Sequence, residues 1–126
     1  MSTKSKVAII EDDPAIIQMY KLKFETEGYE VKTAGDGMAG LELIEAFEPD
    51  AVLLELMMTN MNGMEMLSKL RSMAGGRDVK VIGLTNMGDN ETATKVYRMA
   101  ADDYIVKADM TPLQVGARVR GLMGAE

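Results

Sequence analysis

Apolar and polar positions along the chain form blocks that predict strands and helices in turn. Short runs of apolar or β-branched residues predict strands, and runs with apolar residues three or four positions apart predict helices. Helical spacing follows the first strand at Ile16, Tyr20 and Phe24, and it recurs after the later strands. The predicted strands are 6–10, 29–34, 51–54, 79–84 and 103–106.

Helix boundaries are marked by residues with strong backbone preferences. Asp13 followed by Pro14 predicts an N-cap and the first turn of a helix, and Gly28 predicts where that helix stops. Gly75-Gly76 predicts the end of the third helix, and Thr111-Pro112 the start of the last one. A fourth helix is predicted in the region that follows the polar loop TNMGDNE.

The order of these elements predicts the fold class. The run 51–54 is wholly apolar, as expected for a strand whose two faces are both covered by helices. Strands that alternate with helices favour an α/β domain with a doubly wound parallel sheet. We therefore expect a flavodoxin-like (βα)5 fold with five parallel strands and helices on both faces. We expect one domain over residues 1–126, with its core at about 6–124.

Composition narrows the classes of function. The net charge of −6 does not suit a binder of nucleic acid or of anionic membranes. The chain has no cysteine and no histidine, which excludes disulfides, thiolate metal sites and Ser-His-Asp catalysis. The polar start MSTKSK and the lack of an apolar run of about 20 residues predict a soluble, cytoplasmic protein.

Polar residues with reactive or charged side chains follow four of the predicted strands. Because parallel strands end at one edge of a sheet, these side chains are expected to meet there. Grouped carboxylates repel one another unless a cation lies among them, and oxygen ligands suit Mg²⁺. A hydroxyl and an ammonium group beside them suit phosphoryl chemistry on a carboxylate. In strand order the residues are Glu11, Asp12 and Asp13, then Glu55, Thr85 and Lys107.

This pattern resembles the CheY-like receiver domain of two-component response regulators over essentially the whole chain. In that family an acidic pair ends the first strand, as Glu11-Asp12 does here, and an aspartate that accepts a phosphoryl group ends the third. The stretch ELMMTNMNG, which begins at Glu55, corresponds to family sequences such as DLMLPGMDG. A Thr or Ser ends the fourth strand and a Lys the fifth, matching Thr85 and Lys107.

The resemblance implies a role for each matching residue. Glu55 occupies the phosphoacceptor position, Lys107 is the charge partner of the phosphoryl group, and Thr85 with Tyr104 forms the switch. Mg²⁺ is implied as a weakly bound cofactor, and no residue is expected to be catalytically active. Its implied ligands are Glu11, Asp12, Glu55 and the backbone carbonyl of Met57.

Two departures from the family pattern bear on function. Glu55 replaces the acceptor aspartate, and its extra methylene moves the carboxylate by about 1.5 Å. A displacement of about 1 Å can slow a positioned reaction about 100-fold, so phosphoryl transfer to Glu55 is expected to be poor. Ala108 follows Lys107 where the family usually has proline, and a cis bond before alanine would cost about 3 kcal/mol. The 107–108 peptide is therefore expected to be trans, or strained if it is cis.

Three interpretations of function follow. In the first, Glu55 makes the chain a phosphomimetic or non-phosphorylatable signalling switch that is not an enzyme. In the second, the chain is a natural pseudo-receiver that binds partners and never uses phosphorylation. In the third, it is a flavodoxin-like cofactor binder, although EDDP after the first strand is no phosphate-binding loop.

The family also implies partners for a stand-alone receiver. These are a sensor histidine kinase or phosphotransfer protein, and a downstream target protein. The target is expected to dock on the face formed by the fourth predicted helix, the fifth strand and the last helix. A homodimer through the same face is a further hypothesis, and no direct contact with nucleic acid or membrane is expected.

Overall fold

The computed structural model describes residues 4–56, 58, 61–73, 78–85, 101–107 and 111–124, excluding the side chain of Thr85. Strands and helices alternate through the first two thirds of the chain, as the sequence pattern predicts. The strands are β1 (Lys6–Ile10), β2 (Glu30–Ala34), β3 (Ala51–Glu55), β4 (Lys80–Thr85) and β5 (Asp103–Val106). The helices in the described residues are α1 (Pro14–Thr26), α2 (Gly37–Phe47), α3 (Gly63–Ser72) and α4 (Pro112–Met123).

The five strands form one parallel sheet in the order β2-β1-β3-β4-β5. The chain therefore moves outward from β1 in one direction and then returns to fill the other side, which is the doubly wound arrangement. β3 lies in the middle, paired with β1 on one side and β4 on the other. The predicted flavodoxin-like fold with a five-stranded parallel sheet is confirmed.

The core has two parts, one on each face of the sheet. Successive residues of β3 point to opposite faces, so Val52 and Leu54 pack with residues of α2 and α3. Ala51 and Leu53 pack on the other face with residues of α1 and α4. All residues of β3 are buried, as the apolar run predicts. A sheet covered on both faces fixes the position of each strand end.

Side-chain caps fix where the helices begin. The carboxylate of Asp13 accepts a hydrogen bond from the backbone N–H of Ala15 at 2.9 Å, so the predicted N-cap of α1 is confirmed. Asn62 caps α3 in the same way, and Thr111 forms a capping box with Gln114 at the start of α4. These caps set the helix starts next to the strand ends where polar residues collect.

Element ends differ from the sequence pattern by a few residues. Glu55 and Thr85 are the last residues of their strands and do not follow them. α3 ends at Ser72, before Gly75-Gly76, which lie outside the described residues. The predicted fourth helix also lies outside them. Among the helices that are described, none is long and apolar enough to cross a bilayer.

Candidate functional site

Three charged residues meet at the carboxyl edge of the sheet. Glu11 directly follows β1, Glu55 ends β3 and Lys107 directly follows β5. Since β4 lies between β3 and β5, the lysine side chain reaches across the end of β4 to the middle of the sheet. The topology thus brings together three residues whose separations in the sequence are 44, 52 and 96 positions.

Glu11 is buried and both of its carboxylate oxygens are engaged. Oε1 accepts a hydrogen bond from Lys107 Nζ at 2.8 Å. Oε2 accepts from the backbone N–H groups of Asp12 and Asp13 at 3.1 and 3.3 Å. Burial disfavours the charged carboxylate and raises the pKa of Glu11, although the lysine and the amide of Asp13 oppose this shift. Glu11 therefore closes the β1–α1 turn and receives the lysine.

Lys107 bridges the two glutamates. Its Nζ also donates to Glu55 Oε1. The exposed fractions of the side chains are 8% for Lys107, 2% for Glu11 and 3% for Glu55, so the three groups interact away from bulk water. Burial alone would lower the pKa of Lys107, but its hydrogen bonds to the two glutamates outweigh burial and raise the pKa. The lysine is thus held as an ammonium group between two carboxylates.

Tyr20 is a residue near these charges that sequence reasoning assigned only to the apolar face of α1. It is almost fully buried and stacks on Phe24, with ring centroids 6.3 Å apart. Burial raises the pKa of Tyr20, and the charges of Lys107, Glu11 and Glu55 act on its hydroxyl as well. No signal in the sequence distinguishes Tyr20 from an ordinary core residue.

A glycine fixes the backbone beside Glu55. The N–H of Gly63 donates to the carbonyl of Leu56 at 3.0 Å, which folds the start of α3 back onto the end of β3. A β-carbon on Gly63 would lie 2.7 Å from Leu56 Cα and closer still to the carbonyl oxygen of Glu55. Such a contact is too short for an alanine, so glycine is needed for this close approach.

The other acidic residues at this edge are arranged differently. Asp12 is exposed, and Asp13 is engaged as the N-cap of α1. Within the described residues, no three acidic side chains form a group that could hold a metal ion. A divalent cation would have to share Glu11 and Glu55 with the lysine, so the carboxylates as arranged do not fit one.

Comparison with known proteins identifies this arrangement. The family model for the response regulator receiver domain matches residues 7–116. The chain belongs to the response regulator receiver domain family. Receiver domains are signalling domains of two-component systems and not classical enzymes.

Named relatives and one solved structure agree with the assignment. The receiver domain is 34% identical over 121 residues to the DNA-binding dual master transcriptional regulator RpaA of Synechocystis, covering 94% of this chain and 48% of that protein. It is 32% identical over 117 residues to the DNA-binding response regulator MtrA of Mycolicibacterium smegmatis, covering 93% and 50%. The chain spans about half the length of the curated relatives it matches.

The solved structure is a CheY-like response regulator receiver domain protein from Methanospirillum hungatei. It superimposes with a TM-score of 0.89 at 28% identity, and the match covers 97% of this chain and 95% of that one. The two proteins thus share the same fold.

The predicted site residues of the receiver domain fall into three groups. Glu11, Glu55 and Lys107 are brought into direct contact. The backbone of Thr85 ends β4 beside β5, paired with Val106, and Tyr104 is a half-buried residue of β5. Met57 and Ala108 lie outside the described residues, so the carbonyl ligand and the 107–108 peptide stay predictions.

Proposed function

We propose that the chain is a receiver-type switch in which Glu55 holds the phosphoacceptor position and imitates the phosphorylated state. The observation that supports this most is the ion pair between Glu55 and Lys107. Glu55 ends the middle strand of the sheet, buried at the edge where parallel α/β sheets bind ligands. The longer carboxylate thereby engages the lysine without a phosphoryl group.

The imitation is partial in charge and in hydrogen bonding. A phosphoryl group brings about −1.5 to −2 charges and three acceptor oxygens, whereas the glutamate carboxylate brings one charge and two oxygens. Phosphorylation would require a Glu55 oxygen to attack the donor's phosphorus while the donor's leaving oxygen departs with its electron pair. Misplacement by about 1 Å can slow such a positioned reaction about 100-fold. Glu55 is therefore expected to signal by its own charge.

The signal is expected to pass through a two-state element. In the proposed switch, Thr85 moves toward the charge at position 55 and Tyr104 follows it, which changes the binding face that includes β5 and α4. The partners proposed for this face are a downstream target protein and a second copy of the chain. A sensor histidine kinase or phosphotransfer protein is the proposed upstream partner, and the cytoplasm is the proposed location.

The names of RpaA and MtrA describe DNA binding by proteins about twice as long as this chain. The expectation that the chain acts without contacting nucleic acid is therefore not supported by these comparisons. We therefore propose a second kind of output beside protein–protein signalling. In it, the receiver controls a DNA-binding segment. Gel-shift assays test whether the chain itself contacts DNA: we expect the chain alone to leave DNA unshifted, and a shift would show direct binding.

Phosphorylation by a small donor tests the role of Glu55. The chain and its Glu55→Asp variant are incubated with acetyl phosphate and Mg²⁺, and intact mass is followed with time. We expect a phosphate adduct on Glu55→Asp and none on the unsubstituted chain. A Glu55→Gln variant is the matched control, because it keeps the side-chain length but removes the charge. Equal labelling of all three proteins would show that position 55 is not the acceptor.

A second function, a pseudo-receiver that never uses phosphorylation, is favoured by one specific observation. The carboxylate of Glu11 accepts hydrogen bonds from the Lys107 ammonium and from the backbone of the β1–α1 turn, as in a polar cluster with a purely structural role. Backbone amide NMR shifts of β5 and α4 distinguish the two functions. For a switch, Glu55→Asp shifts these amides and its phosphorylation reverses the shift. For a pseudo-receiver, Glu55→Asp changes only the amides next to position 55.

A further inference from the structure

The carboxylate oxygens of Glu11 are occupied by internal donors. One oxygen accepts the Lys107 ammonium at 2.8 Å, and the other accepts two backbone amides of its own turn. A metal ion that binds Glu11 closely must share these oxygens with a positively charged group. Such sharing brings two cations together in a region of low dielectric, where their repulsion is strong.

Glu55 is occupied by the same ammonium group. Since Lys107, Glu11 and Glu55 are all more than nine-tenths buried, the ammonium cannot move aside without losing both partners or reaching solvent. Breaking a buried ion pair leaves an uncompensated charge, which is strongly unfavourable. The exposed carboxylate of Asp12 is not one of the two that the ammonium bridges. By itself, however, it would offer Mg²⁺ a single protein ligand.

We propose that the Lys107 ammonium is the resident cation of this pocket and competes with Mg²⁺ for Glu11 and Glu55. The chain's affinity for Mg²⁺ is then set by the lysine and by the length of the side chain at position 55. This inference rests on the proposed function only in placing Glu55 at the acceptor position.

Side-chain length explains why glutamate favours the lysine. An aspartate at position 55 would draw the carboxylate back toward β3 by one carbon–carbon bond, about 1.5 Å. The bond to Lys107 would lengthen, and space for a hydrated ion would open beside Glu11. Removing the ammonium while keeping both glutamates should open the pocket to a divalent cation in a second, independent way.

Mg²⁺ titrations without any phosphodonor test the proposal. Affinity is measured by NMR shifts of the Asp12 and Asp13 amides, which donate to Glu11 and so sense its ligands. The proteins are the unsubstituted chain, Lys107→Met and Glu55→Asp. Lys21→Met is the matched control, because it removes one positive charge from an exposed ion pair with Glu25. The control accounts for any general attraction of Mg²⁺ to a more acidic protein.

We expect the Kd for Mg²⁺ to fall at least about tenfold in Lys107→Met and in Glu55→Asp, and to stay unchanged in Lys21→Met. Equal affinity of the unsubstituted chain and both pocket variants would overturn the proposal, as would equal tightening in the control. If Lys107→Met does not fold, the comparison of Glu55→Asp with the unsubstituted chain decides by the same criterion. Because no phosphodonor is used, a failure here leaves the acetyl phosphate result intact.

Discussion

At the scale of single residues, one ammonium group balances two buried carboxylates. Removing Lys107 would leave Glu11 and Glu55 buried without a counter-charge. Breaking a buried pair in this way typically costs about 3–5 kcal/mol, far more than an exposed pair contributes. We expect Lys107→Met to lower the free energy of unfolding at pH 7 by about that amount, measured by urea denaturation.

The pH dependence of this contribution follows from the raised pKa of Lys107. Below the ordinary lysine pKa of 10.5, Lys107 is charged in the folded and unfolded chain alike, so its stabilising contribution is complete. Above pH 10.5 the unfolded chain loses this proton first, and the contribution is lost as pH rises through the higher pKa of the folded state.

The measurement is the difference in unfolding free energy between the unsubstituted chain and Lys107→Met from pH 7 to 11. Titrating groups that do not contact Lys107 largely cancel in this difference. We expect it to be constant to about pH 10.5 and to shrink above that value. A difference that stays constant to pH 11, or one as small as that of Lys21→Met at pH 7, would contradict the ion-pair role.

The sequence predicts which charged residues share an edge but not which of them touch. Glu11, Glu55 and Lys107 could be placed together because parallel strands end on one side of a sheet. That Glu11 turns one oxygen to its own backbone depends on the path of the β1–α1 turn. The proximity of Tyr20 depends on how α1 packs, which its apolar spacing alone does not fix.

At the scale of elements, the joint between β3 and α3 depends on Gly63. The helix begins where its backbone meets the end of the strand that carries Glu55. In Gly63→Ala the new methyl group would force the backbone apart, at a cost of about 1–3 kcal/mol typical of overpacking. We expect thermal denaturation to show that loss, together with shifted amide resonances at Glu55 and Leu56.

Gly121 is the matched control for this substitution. It lies in α4, where a β-carbon would meet nothing within 4 Å. Gly121→Ala should stabilise the helix by about 0.5–1 kcal/mol, because alanine favours the helical backbone over glycine. Equal effects at the two glycines would show that Gly63 has no special part in the joint.

Element types were easier to predict from sequence than element ends. The apolar run of β3 and the Asp13-Pro14 start of α1 are local signals, and the structure confirms both. α3 ends at Ser72, a few residues before the Gly75-Gly76 pair that predicts its stop, so the glycines indicate the end of the helix only approximately. β4 includes Thr85 because this residue pairs with Val106 of β5, and the local sequence does not reveal that pairing.

At the scale of the whole molecule, a single sheet carries two separate cores. Leu53 and Leu54 are adjacent in β3 but pack into opposite cores, one with α1 and α4 and the other with α2 and α3. The doubly wound fold could be predicted because alternating strands and helices leave few ways to cover both faces. The partition of side chains between the two cores follows from the two-residue period of the strand.

Because both cores share the central strand, damage to either one should weaken the whole sheet. Leu53→Ala and Leu54→Ala each remove a fully buried side chain, which typically costs about 2–5 kcal/mol. We expect both variants to unfold in one transition at lower temperature, with far-ultraviolet and tyrosine signals that coincide. Two of the four tyrosines, Tyr20 and Tyr29, lie in or against the core of Leu53, so loss of that core changes the tyrosine signal. If Leu54→Ala melted the helical signal while the tyrosine signal kept its original midpoint, the two cores would be independent units. The cluster at the end of β3 would then depend on two stabilities, whereas a single shared transition ties Glu55 and Lys107 to the stability of the entire sheet.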